Sequence, residues 1–108
     1  MSKQGDNMTD VRRTNRSAVL RALHENGAVS RKKLAASIGL TPAAITKITG
    51  EMIEEGLLRE GESVFSGGAG RREILLNTDP FSRCSLGIFL NRGLAVLSSV
   101  NLDGTVIF

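Results

Sequence analysis

Residues 30–55, SRKKLAASIGLTPAAITKITGEMIEE, read as two short helices joined by a tight turn at Gly39-Leu40. Ser30 is placed to N-cap the first of them, and Thr41 the second, with Pro42 as its first helical residue. Leu34, Ala35 and Ile38 recur at helical spacing on the earlier helix. Ile45, Ile48, Thr49 and Met52 do the same on the later one, so each presents one stripe to a common core. The opposite side of the later helix carries Ala43, Lys47 and Gly50, with Thr46 at its flank and Thr41 and Ala44 at its start. That surface is small, uncluttered and slightly basic, and it suits the major groove of a DNA duplex. The pattern is that of a helix-turn-helix, with Thr41, Ala43, Ala44, Thr46 and Lys47 expected to read bases.

Charge is distributed to match. Residues 1–50 hold nine Lys/Arg against three acids, whereas residues 51–62 hold five glutamates against Arg59. A basic half followed by an acidic stretch points to a polyanion partner for the first half only. Glu51, Glu54 and Glu55 would be repelled by phosphate, so only the N-terminal half of the later helix can face DNA. Arg31, Lys32 and Lys33 crowd the first turn of the earlier helix, where cations oppose the helix dipole and bring no local stability. Together with Ser30 they are expected to contact phosphate. The chain has no Trp or Tyr, and its Phe residues fall in the second half. This disfavours single-strand binding, which needs aromatic stacking platforms.

Upstream, a helix is expected from Thr9-Asp10 to Asn26-Gly27, burying Ala18, Val19, Ala22 and Leu23. Arg12 and Arg16 lie in line with that stripe and cannot enter the core unpaired. They are expected to project into solvent or against phosphate. Downstream, Gly56 ends the third helix, residues 57–60 read as a strand, and residues 73–77 as its return partner. The intervening GESVFSGGAGRR is too long for a tight hairpin and ends in Gly70-Arg71-Arg72. Three helices followed by a β-hairpin form a winged helix, and arginines at the wing suit a narrow minor groove.

Asn77-Thr78-Asp79-Pro80 is a turn that closes this unit. The chain therefore divides into a loose N-terminus (1–8), a winged helix-turn-helix (9–78) and a β-meander (79–108). In the meander, residues 86–90, 94–100 and 105–108 are strand candidates. The first two are almost continuously apolar, as in strands buried on both faces. Since so short a meander cannot cover itself, it is expected to be the front edge of a larger domain. The overall class is α+β.

The residues Asn15-Arg16, Val19-Leu20, Gly27, Ser30-Arg31, Leu34-Ala35, Gly39-Leu40-Thr41, Gly56-Leu57-Leu58, Gly70-Arg71-Arg72 and Leu75-x-Asn77 before Pro80 occur in order. In that order and spacing they resemble the start of transcriptional regulators in the ROK (repressor, ORF, kinase) family. The resemblance implies a winged helix followed by an actin-like, sugar-kinase-type domain that opens with a β-meander. It also implies a repressor of sugar-utilisation genes, bound to a palindromic operator as a homo-oligomer and answering to a sugar effector. Kinases of the family carry Asp-x-Gly-x-Thr in the first hairpin of that domain. The matching stretch here places Phe89 at the aspartate and Gly93 at the threonine, which argues against phosphoryl transfer.

Other chemistry has little support. Cys84 and His24 are each the sole residue of their type, so an intramolecular disulfide is impossible and a Cys/His zinc site is not expected. Cys84 is expected as a small core residue and His24 as solvent-exposed. No catalytic residue, metal or cofactor is expected. No apolar run reaches the length of a membrane span or a signal peptide, and a cytoplasmic location is expected. Two alternatives stay open: a protein-interaction winged helix that never touches DNA, and the remnant of a sugar kinase.

Overall fold

Three helices and a small antiparallel sheet build up around residues 30–55 in the computed structural model, which describes residues 8–65 and 71–108. Helix α1 spans Met8–Asn26, β1 Val29–Ser30, α2 Arg31–Ile38 and α3 Pro42–Glu54. Strands β2 (Leu58–Phe65) and β3 (Arg72–Thr78) follow, and then β4 (Cys84–Asn91) and β5 (Leu94–Asn101). The first seven residues lie outside the described part. Met8, expected in the loose N-terminus, is the first residue of α1.

Local chemistry sets each helix end. The Ser30 hydroxyl accepts the Lys33 amide N–H at 3.3 Å, and the Thr41 hydroxyl accepts that of Ala44 at 3.1 Å. These caps satisfy donors that a helix N-terminus otherwise leaves open. At the other end of α3, Gly56 adopts φ 82°, which only glycine takes without strain. The Leu57 N–H then reaches the Met52 carbonyl, and the Gly56 N–H that of Ile53. This is the Schellman arrangement, and its usual apolar contact is supplied by buried Leu57 and Met52.

The helices share one core. Val19 and Leu23 of α1 meet Leu34 and Ala35 of α2 and Ile45, Ile48 and Met52 of α3, and Leu57, Leu58 and Leu76 close the cluster from the strands. Burial of six large or β-branched apolar side chains at helical spacing, with Ala35 beside them, supplies the drive that fixes three short helices together.

The wing differs from its sequence-based description in two ways. Strand β2 runs on through Phe65, where residues 61–65 were expected in a loop, and β3 pairs with it from Leu58↔Thr78 out to Phe65↔Arg72. A register shift between Glu60 and Ser63 allows this, because a bulge there absorbs Gly61 and Glu62 and restores pairing beyond them. The second difference is where the short extended step expected at Ala28-Val29 pairs: as β1 it adds a third strand to the wing sheet. Val29 pairs with Leu76 and Ser30 with Leu75, giving the order β1-β3-β2. The assembly is a winged helix-turn-helix in an α+β chain.

β4 and β5 form a separate two-stranded sheet in full register from Cys84↔Asn101 to Asn91↔Leu94. The expected third strand reduces to a bridge of Val106 with Val100 and two backbone bonds between Ser99 and residues 107 and 108. The apolar faces of this sheet lie open, as expected of a meander too short to cover itself. Every residue of β4 is exposed, Leu90 by 74%, and in β5 Ser99 alone is buried. Cys84, expected in a core, is exposed because this sheet lies open. Leu102, just past β5, does pack against the helical core, and its N–H donates to the Pro80 carbonyl at 3.2 Å.

Leu76 is fully buried and links the wing sheet to the helices. Leu76→Ala should lower the free energy of unfolding by about 2–5 kcal/mol, as for other core leucine truncations, read as a lower urea midpoint.

Candidate nucleic-acid interface

The N-terminal half of α3 forms the centre of the site. With Ile45, Ile48, Thr49 and Met52 turned into the core, Thr41, Ala43, Thr46 and Lys47 are left exposed and Ala44 half-buried. No acid lies on this half, and Lys47 forms no ion pair among the described residues. The five residues expected to read bases are thus brought onto one accessible surface.

Lys32 and Lys33 are exposed in the first turn of α2, also without an ion pair among the described residues. They border a cleft of about 480 Å³ between that helix and the wing, whose other walls include Ala36, Val64, Phe65 and Leu75. The basic shoulder of α2 and the wing therefore flank one groove. Ser30, grouped with these lysines from the sequence, is 2% exposed, and its hydroxyl is occupied by the helix cap.

The arginines behave differently. Arg12 donates through Nε to Glu51 at 3.2 Å. Arg16 makes a two-pronged bond to Glu55, Nη1 to Oε2 at 2.7 Å and Nη2 to Oε1 at 2.6 Å. These pairs join α1 to the acidic end of α3, whereas Arg12 and Arg16 were expected to project into solvent or against phosphate. The hydrogen bonds hold the Arg16 guanidinium above its ordinary pKa and, through the same contact, the Glu55 carboxyl below its own. Arg31 donates to Thr49 and Glu60. At the wing, Arg72 donates to the Ser63 hydroxyl at 2.9 Å and the Ser63 carbonyl at 2.8 Å. Its guanidinium also lies 4.5 Å from the centre of the Phe65 ring, a cation–π contact. Arg71 is exposed where the chain enters β3, and Gly70 lies outside the described residues.

Sequence reasoning placed the N-terminal half of α3 and the lysines on accessible surface, as the structure does, but did not foresee Glu60, Ser63, Phe65 and Thr49 as arginine partners. Only Thr49, a polar residue on an apolar stripe, carried a visible signal.

Geometry of this kind defines a winged helix-turn-helix DNA-binding domain, and a family model described as "winged helix-turn-helix DNA-binding" matches residues 12–59. The chain is 35% identical over 101 residues to the DNA-binding transcriptional dual regulator NagC of Escherichia coli (strain K12), covering 94% of this chain and 25% of that protein. It is 31% identical over 102 residues to the xylose repressor of Caldicellulosiruptor bescii, again covering 94% of this chain and 25% of the relative. A solved structure described as a ROK family transcriptional regulator, homolog of the E. coli MLC protein, superposes with a TM-score of 0.71 at 30% identity. That match covers 91% of this chain and 25% of the other. The chain belongs to the ROK family of transcriptional regulators, and it spans about a quarter of the length of the relatives it matches. No helix among the described residues is long and apolar enough to cross a membrane.

The lowered Glu55 pKa has a defined sign. The stabilisation from its pairing with Arg16 is fully present above the ordinary glutamate value of 4.5 and fades as pH falls through the lower folded value. Glu55→Gln should flatten the acid limb of a plot of unfolding midpoint against pH, while the midpoint of the unaltered chain falls there.

Proposed function

We propose that this chain is the operator-binding end of a cytoplasmic repressor of sugar-utilisation genes. The N-terminal half of α3 enters the major groove, Lys32 and Lys33 hold phosphates on one shoulder, and Arg71 approaches the minor groove from the wing that Arg72 stiffens. The observation that carries this reading is the acid-free, exposed face of Thr41, Ala43, Thr46 and Lys47, flanked by lysines that form no ion pair among the described residues. Acids on α3 sit at its far end, two of them held by arginines. The xylose repressor among the relatives suggests a sugar as effector, bound by a part of those proteins beyond the matched quarter. One such domain covers only a few base pairs, so the functional regulator is a homo-oligomer on a palindromic operator. No catalytic role is assigned, since Phe89 and Gly93 stand where the family's kinases have aspartate and threonine.

A labelled duplex titrated at two salt concentrations tests DNA binding. Phosphate contacts from Lys32 and Lys33 would neutralise about two phosphates, giving a log–log slope of roughly −1.8. A flat salt response, or no binding at low salt, sinks the reading.

Side-chain roles separate in a second measurement. Lys47→Ala should weaken binding at particular base pairs, by an amount on the order of 1–3 kcal/mol. Lys32→Ala should weaken selected and scrambled duplexes alike and reduce the slope by about 0.9. The same uniform loss from both would overturn the division into base and phosphate contacts.

A further inference from the structure

Arg31 opens α2 in line with Ala35 and Ile38, the stripe that faces the core. Its side chain is accordingly drawn inward and only 27% exposed. Two groups meet it there. Its Nε donates to the Thr49 hydroxyl at 3.3 Å, and its Nη2 donates to Glu60 Oε2 at 2.9 Å. Thr49 is fully buried, and its own hydroxyl proton is directed at the Ile45 carbonyl, 2.7 Å away. The oxygen therefore has a lone pair to offer Arg31. Glu60 sits at the edge of the β2 bulge, the last residue before the register slips. Ser30, immediately before Arg31, is paired with Leu75 of β3.

One guanidinium thus ties three parts of the domain together: the start of α2, the buried side of α3 one turn beyond its base-facing residues, and the point where the wing bends away. We propose that Arg31 is a positioning residue for sequence discrimination, setting the roll of α3 and the angle of the wing, and that it makes no phosphate contact. The planar fork of an arginine can serve a hydroxyl and a carboxylate in two directions at once. An ammonium at the same position keeps the charge but cannot hold both. The proposal rests on the DNA-binding reading above, and Glu60 acquires a role in it although it touches no DNA.

The test uses the 108-residue chain with Arg31→Lys and Glu60→Gln. The probes are a duplex selected from a random pool with the unaltered chain and a scrambled duplex of the same composition. If Arg31 is a brace, both variants lose discrimination between the two duplexes by about three- to thirtyfold, the size of an ordinary coupling between contacting residues. Their salt slopes should match that of the unaltered chain. The loss in Glu60→Gln is the sharper sign, because removing an acid would otherwise tighten binding to a polyanion.

If Arg31 instead contacts phosphate, Arg31→Lys keeps full discrimination and Glu60→Gln binds both duplexes equally or better; that outcome overturns the proposal. Failure of the unaltered chain to bind any duplex would sink the DNA reading itself. The brace is then still read from folding alone, as coupling of Arg31→Ala and Glu60→Ala in a double-mutant cycle of urea midpoints. Absence of coupling there removes it.

Discussion

A guanidinium on the apolar stripe of a helix must find a carboxylate or leave the core, because burying an unpaired charge costs several kcal/mol. Arg16 on α1 and Arg31 on α2 face this constraint, and each is met by a glutamate on a later element; the exposed Arg12 pairs with Glu51 beside them. The consequence reaches the whole domain. Glu51 and Glu55 are drawn to α1, so the acidic end of α3 is turned back towards the N-terminal helix. The acid-free half of α3 is left outermost. Exposed ion pairs contribute little stability singly, and of the three the two-pronged Arg16–Glu55 pair is the shortest. Their effect is on orientation more than on energy, since the apolar cluster around Leu23, Ile45 and Met52 supplies the burial.

Much of this was legible in sequence because it is decided within a few residues. Ser30, Thr41-Pro42, Gly39 and Gly56 set helix ends by local hydrogen bonding and local backbone freedom, and they do so where expected. The alternation of core and surface positions on α3 follows from the 3.6-residue period alone. The wing was less legible. Gly61 and Glu62 interrupt the strand pattern, yet the bulge they occupy lets the ladder resume at Ser63. The pairing of β1 with β3 joins residues more than 40 positions apart, and no local signal encodes it. The arginine partners were hidden for the same reason: Arg16 and Glu55 are 39 residues apart, and only the crossing of α1 with α3 brings them together.

Residues 86–90 mark a different limit of local reading. A continuous apolar run reports the layers a strand is suited to lie between, which belong to other elements. Here β4 and β5 pair with one another and remain open on their faces. Pairing is encoded in the two strands and their Asn91-Arg92-Gly93 turn, so it was predicted correctly. Covering is not encoded there, and the same residues gave the wrong expectation for Cys84.

The basic residues divide by chemistry. Arginine, with its flat fork and weakly hydrated charge, is used for internal bonds at Arg12, Arg16, Arg31 and Arg72. Lysine, a strongly hydrated point charge, occupies the open positions 32, 33 and 47. Phosphate attraction from such lysines is insensitive to small displacements, since it falls off over a Debye length of about 8 Å at physiological salt. Base discrimination is not, because hydrogen bonds weaken steeply over a few tenths of an ångström and with angle. The face offered by α3 is made of small groups, Thr41, Ala43 and Thr46, with Lys47 as its only long side chain. Small groups cannot reach to correct a misplaced helix. On the proposed reading, discrimination by such a surface depends on how firmly the helix is held from behind, where Arg31 meets Thr49.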